Sequence, residues 1–180
     1  MKHLNKILCM VMLAFAAVAF TSCGDDEPTP TPTPNEFKFV FDGTERPIVN
    51  SSVYVISSNG CRFILADDAS VDLSKKVPQT QANSLGYVMI DCPTAKFGKT
   101  IHDPADLSQG GWNYYLAAKL KGQEKRTYFQ DNLTNISSFV NFAEGKLEVK
   151  ITAEATIEGV NHTLTVIYKG APVIANEYIL

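Results

Sequence analysis

The chain has 180 residues, 45% of them hydrophobic and 19% charged, which supplies a packed core and argues against wholesale disorder. Its formal net charge is -3, so there is no basic field to hold nucleic acid.

Lys2, His3 and Lys6 open the chain and precede an uncharged apolar run from Ile7 to Phe20. A membrane-spanning helix needs about 20 such residues, so this run is too short to span. A basic start, a short apolar stretch and then small residues is the layout of a secretory signal peptide, here 1–22. Thr21 and Ser22 lead into Cys23, which resembles the lipobox of bacterial lipoproteins, whose cysteine is lipidated and becomes the new N-terminus. Gly24, Asp25, Asp26 and Glu27 follow, and then Pro28-Thr29-Pro30-Thr31-Pro32-Thr33-Pro34. Alternating prolines favour extended polyproline II and pack no core, so residues 23–34 read as a lipidated cysteine and a stiff tether. Seven such residues reach roughly 20 Å. Signal peptide, lipobox cysteine, acidic run and Pro/Thr tether together resemble the small exported lipoproteins of the Bacteroidetes type. The resemblance implies a membrane anchor through acyl (palmitate-type) chains on Cys23 in the outer membrane. In that group an acidic run after the cysteine resembles the signal for cell-surface display, which leaves the periplasmic face as the alternative.

Residues 35–180 remain as one domain. With Lys2 and Lys6 removed and Asp25, Asp26 and Glu27 left to the tether, it holds 14 basic and 16 acidic residues and is nearly neutral. Phe37, Phe39 and Phe41 alternate with Lys38 and Val40, the two-residue period of a strand, and Asp42-Gly43 supplies a turn before a short return at 46–50. Residues 52–57 and 61–66 form a hairpin about Ser58-Asn59-Gly60. Strands are expected at 85–90, 112–118, 126–130 and 138–142, with loops at 67–84 and 91–111. Leu147, Val149, Ile151, Ala153, Ala155 and Ile157 share one face of a long strand whose other face is mostly charged or hydroxylated. Glu158-Gly159 turns the chain into 162–169, where Leu164, Val166 and Tyr168 alternate, and 173–180 could add a last strand. The predicted fold is therefore all-β: an antiparallel β-sandwich, or alternatively a small calycin-like β-barrel.

Two cysteines fall in the domain. Cys61 and Cys92 are candidates for a disulfide in an exported protein, and also for two separate buried thiols. A bridge would close a loop of about 31 residues and contribute roughly 3–4 kcal/mol in the chain-entropy model.

Catalytic patterns are weak. Gly98-Lys99-Thr100 looks like the end of a phosphate loop, but Pro93 stands where that loop needs glycine. His102, Asp103 and Asp106, or Asp67-Asp68, show no established metal-ligand spacing, and His162 reads as a solvated hairpin residue. No catalytic residue, metal or cofactor is expected. Trp112, Asn113 and Tyr114, after the flexible Gly110-Gly111, are the candidate ligand-binding residues. Aromatic faces stack on sugar rings, and amides hydrogen-bond their hydroxyls. Alternation puts Trp112 and Tyr114 on one face and Tyr115 on the other, and the bland reading makes the first face core. The expected function is a non-catalytic binding module for a glycan or another ligand. The alternatives are a structural or adhesive subunit that pairs with an envelope protein through an open sheet edge, and a barrel that carries a small apolar ligand.

Overall fold

In the computed structural model, which describes residues 37–74, 84–107, 114–130 and 132–175, the alternating stretches pair as strands. They are β1 (Lys38–Phe41), β2 (Thr44–Pro47), β3 (Asn50–Ser57), β4 (Gly60–Ala66), β5 (Tyr87–Pro93), β6 (Lys99–Ile101), β7 (Tyr115–Lys119), β8 (Thr127–Tyr128), β9 (Leu133–Ala143), β10 (Lys146–Ile157), β11 (Val160–Gly170) and β12 (Val173–Ile174). All described residues belong to one unit, Pro34–Leu180. The signal peptide, Cys23 and the tether lie outside the described residues.

The tightest turns carry their own chemistry. Asp42-Gly43, Glu144-Gly145 and Glu158-Gly159 join β1 to β2, β9 to β10 and β10 to β11. Both residues of each pair have φ between 48° and 79°. Two successive left-handed residues make a type I′ turn, whose twist matches the strands it joins, and glycine takes the second place without a Cβ penalty.

These hairpins build a first sheet in the order β2-β1-β11-β10-β9-β6, while the second runs β12-β3-β4-β5-β7-β8. Neighbours are antiparallel except β12, which lies parallel to β3. The sheets pack face to face. Phe39, Phe41, Val149, Ile151 and Val166 of the first bury against Val53, Phe63, Leu65, Ile90 and Leu116 of the second. Phe63 and Phe142 meet edge to face across the layer, with ring centroids 5.7 Å apart. Two tyrosine hydroxyls also cross it: Tyr168 bonds Ser51 Oγ at 2.6 Å and Tyr114 bonds Ser138 Oγ at 2.6 Å.

The sandwich expectation holds and the barrel alternative does not. Each sheet ends in edge strands paired on one side only, β2 and β6 in one and β12 and β8 in the other. Large side chains such as Phe39, Phe63 and Phe129 fill the space between the sheets, where a ligand-carrying barrel would need a lumen.

Two expected loops are also partly structured. Asp91, Cys92 and Pro93 extend β5, and β6 with two short 3-10 turns occupies much of 94–107. Residues 67–74 pack against the second sheet's outer face. Leu73, with Leu85, covers Ala66, Tyr87, Met89 and Ala117. Asn50 Nδ2 donates to Val71 O at 2.6 Å and Tyr54 Oη to Leu73 O at 3.1 Å. This second small core explains why β5 is buried on both faces.

Candidate binding face

The second sheet's outer face is assembled by register. One row runs Tyr54–Arg62–Asp91–Tyr115 across β3, β4, β5 and β7, and the row beside it runs Ile64–Met89–Ala117–Tyr128 from β4 to β8. Tyr87 faces Lys119 one row further on. Strand alternation makes this a face: Leu116 and Ala118 point into the main core, so Tyr115, Ala117 and Lys119 point out.

Arg62 and Asp91 clasp each other in a two-pronged pair, Nε to Oδ1 at 2.6 Å and Nη2 to Oδ2 at 2.5 Å. The hydrogen-bonded Asp91 carboxylate raises the Arg62 pKa further. The pair is mostly buried, so its geometry is fixed rather than averaged by solvent. Arg126, just before β8, lies over the Tyr87 ring, 5.7 Å from its centroid, and its Nη1 reaches Tyr128 Oη at 3.5 Å. Lys119 is only 1% exposed. Burial lowers its pKa first, and the neighbouring charge of Arg126 lowers it further. Among these groups two aromatic rings stay open to solvent, Tyr115 at 36% and Tyr128 at 41% exposed. They sit on adjacent strands, because Tyr128 is opposite Ala117, two residues along β7 from Tyr115. Such diagonal neighbours are about 7–8 Å apart.

The structure corrects the sequence-based site at Tyr114. Its ring is 2% exposed and its hydroxyl is spent on Ser138, so it is a core residue that ties the two sheets together. Trp112 and Asn113 lie outside the described residues. The neighbour expected to point away, Tyr115, is the exposed one. Alternation contained that signal, but the choice between wet face and core needed the partner sheet.

The chain matches no protein-family model, no curated protein and no solved structure.

The other singled-out residues fall elsewhere. Cys61 and Cys92 are direct register partners in β4 and β5, both buried and both free thiols. Burial pushes the Cys92 thiol up to about 12, and its Sγ lies 3.6 Å from Pro93 O. His162 Nδ1 pairs with Asp42 Oδ2 at 2.7 Å and its ring stacks on Phe41, so it latches the β1–β2 turn to β11. Asp103 Oδ1 accepts the Ala105 amide at 2.8 Å and starts a 3-10 turn. Lys99 and Thr100 lie in β6, not in a phosphate loop. Asp67 folds back on Gly86, exchanging backbone and side-chain bonds with it at 3.0 Å.

At the opposite edge of the same sheet, an open groove of about 360 Å³ lies among Phe37, Ile48, Val49, Ser51, Tyr168 and Val173. Val49, Val55, Val173 and Ile174 are all exposed near this edge.

Proposed function

We propose that this protein is an exported lipoprotein, anchored through Cys23 in the outer membrane and displayed on the cell surface, and that its β-sandwich is a non-catalytic carbohydrate-binding module. The observation that carries the binding reading is the solvent-open pair Tyr115 and Tyr128, side by side on a rigid sheet face. The C–H-rich face of a pyranose lies favourably against the electron-rich face of an aromatic ring, and two rings on adjacent strands suit successive sugars. The fixed Arg62–Asp91 pair beside them offers donors and acceptors to hydroxyl groups without needing to reorganise on binding.

Isothermal titration of residues 34–180 against soluble oligosaccharides tests the binding. Saturable binding is expected, weakened by about tenfold or more in Tyr128→Ala and Tyr115→Ala at unchanged Tm. Binding that is unaffected by either change would remove the face from the reading. Anchoring has its own check: labelled palmitate should enter the full chain and not its Cys23→Ala variant, and surface protease should reach the domain in intact cells.

A structural or adhesive role is the second reading. It draws on the β3–β12 edge, where Val173 and Ile174 are 44% and 61% exposed on a strand of two residues. β12 covers only Ser52 and Val53 of the eight-residue β3, and an apolar edge left open invites strand addition from another chain.

A further inference from the structure

Charge is uneven on the face that carries Tyr115 and Tyr128. Arg62 is neutralised by Asp91, and Lys121, just after β7, reaches Asp68 at 3.8 Å. Arg126 differs: among the described residues no carboxylate pairs with it, and its described partners are the Tyr87 ring and Tyr128 Oη. It is half-buried, so water screens its charge incompletely. A second cation adjoins it. Extending the Ala118↔Thr127 register by one residue sets Arg126 opposite the buried Lys119, and the two cations act on each other. Glu124 and Lys125, on the turn before β8, are both exposed. Arg126 therefore sets a guanidinium with no carboxylate partner among the described residues beside an open tyrosine ring.

We infer that the glycan taken by this face is acidic: a hexuronate whose carboxylate seats on the Arg126 guanidinium while its ring lies against Tyr128. This rests on the glycan reading above and names its ligand class. The guanidinium fork matches the planar carboxylate with two parallel N–H donors, which a neutral hydroxyl does not reproduce. The Tyr87 ring beneath the guanidinium holds the fork in place, so little side-chain entropy is lost when the anion arrives.

The test uses residues 34–180 and two oligosaccharides of equal length, one of hexuronate and one of neutral hexose, titrated at low and high salt. The hexuronate should bind at least about tenfold tighter at low salt, and the advantage should shrink as salt screens the contact. Arg126→Gln should erase the preference and leave neutral-sugar affinity in place, and Lys125→Gln, on the exposed turn, should change neither. Arg126→Lys keeps the charge without the fork and should retain only part of the preference. Equal affinity for the two oligosaccharides, or a preference that survives Arg126→Gln, would overturn the acidic assignment and leave the glycan face standing. No binding of either would overturn both. Should the Arg126 variants fail to fold, the wild-type preference and its salt dependence decide alone.

Discussion

Cys92 shows how one side chain's chemistry follows from its neighbours. It faces Cys61 across β4 and β5, and its thiol is pushed up to about 12 by burial. Burial raises Cys61 as well. The thiolate is the reactive form, so almost none exists in the folded protein at neutral pH. We predict that neither thiol reacts with iodoacetamide at pH 8 in the native domain, and that both react once it is unfolded in guanidinium. Mass spectrometry before and after denaturation reads this directly, and two unreactive sulfurs in the denatured, unreduced protein would mean a disulfide. The sign of the pH effect follows from the same shift. An acid whose folded pKa lies above its unfolded value contributes fully below the unfolded one, about 8.5 for cysteine. That contribution is lost as pH rises from there towards about 12. Buried Tyr114, also shifted upward, adds a further loss that begins above the unfolded tyrosine value of about 10.

The β4–β5 connection shows what decides an element. Its composition reads as a solvated loop, yet residues 67–74 close over the outer face of the second sheet. Asp67 anchors the closure through the Gly86 amide, and its carboxylate lies directly over the Gly86 α-carbon. A Cβ at position 86 would collide with that carboxylate, which is itself buried at 7% exposure. Gly86→Ala is therefore expected to cost about 1–3 kcal/mol, through overpacking and a displaced hydrogen bond, measured as a fall in the urea midpoint at constant m. Gly145→Ala should also destabilise, for a different reason. Its surroundings are open, and the penalty comes from a φ of 73°. The need for glycine at 145 comes from the turn's own φ, a local property, whereas the need for glycine at 86 arises only when Asp67 comes to rest above it.

On the scale of the whole molecule, two buried tyrosine–serine bonds join the sheets across their apolar core. Tyr168 of β11 meets Ser51 of β3, and Tyr114, just before β7, meets Ser138 of β9. Phenylalanine at either position fills the same space but leaves a buried serine hydroxyl without its partner. Each of Tyr168→Phe and Tyr114→Phe is expected to cost about 1–2 kcal/mol, and the double variant their sum, since the two pairs have no hydrogen-bond partner in common. Equilibrium denaturation of the single and double variants checks this, and a clear departure from additivity would show that the pairs are coupled through the core.

Local rules carried the element pattern. The period of two along 147–157 and 162–169, and the Asp-Gly and Glu-Gly pairs between strands, marked an antiparallel all-β chain. Side-chain alternation and left-handed turn residues are properties of a few neighbouring positions, so sequence alone determines them. The leader, the lipobox cysteine at 23 and the proline tether are likewise sequence-level expectations that need no fold to be read. What the tertiary structure decided is which side of each strand is wet and how the sheets close. Alternation says that Tyr114 and Tyr115 face opposite ways, but it is blind to where the other sheet lies. Packing put Tyr114 on Ser138 and left Tyr115 exposed beside Tyr128. Sandwich and barrel share the same strands and differ only in whether the edges meet, which depends on pairings between residues far apart in the chain. The candidate face has the same origin: Arg62, Asp91, Tyr115 and Tyr128 lie on strands spread over 67 positions, with Arg126 just before the last of them, and only the register of four strands sets them side by side.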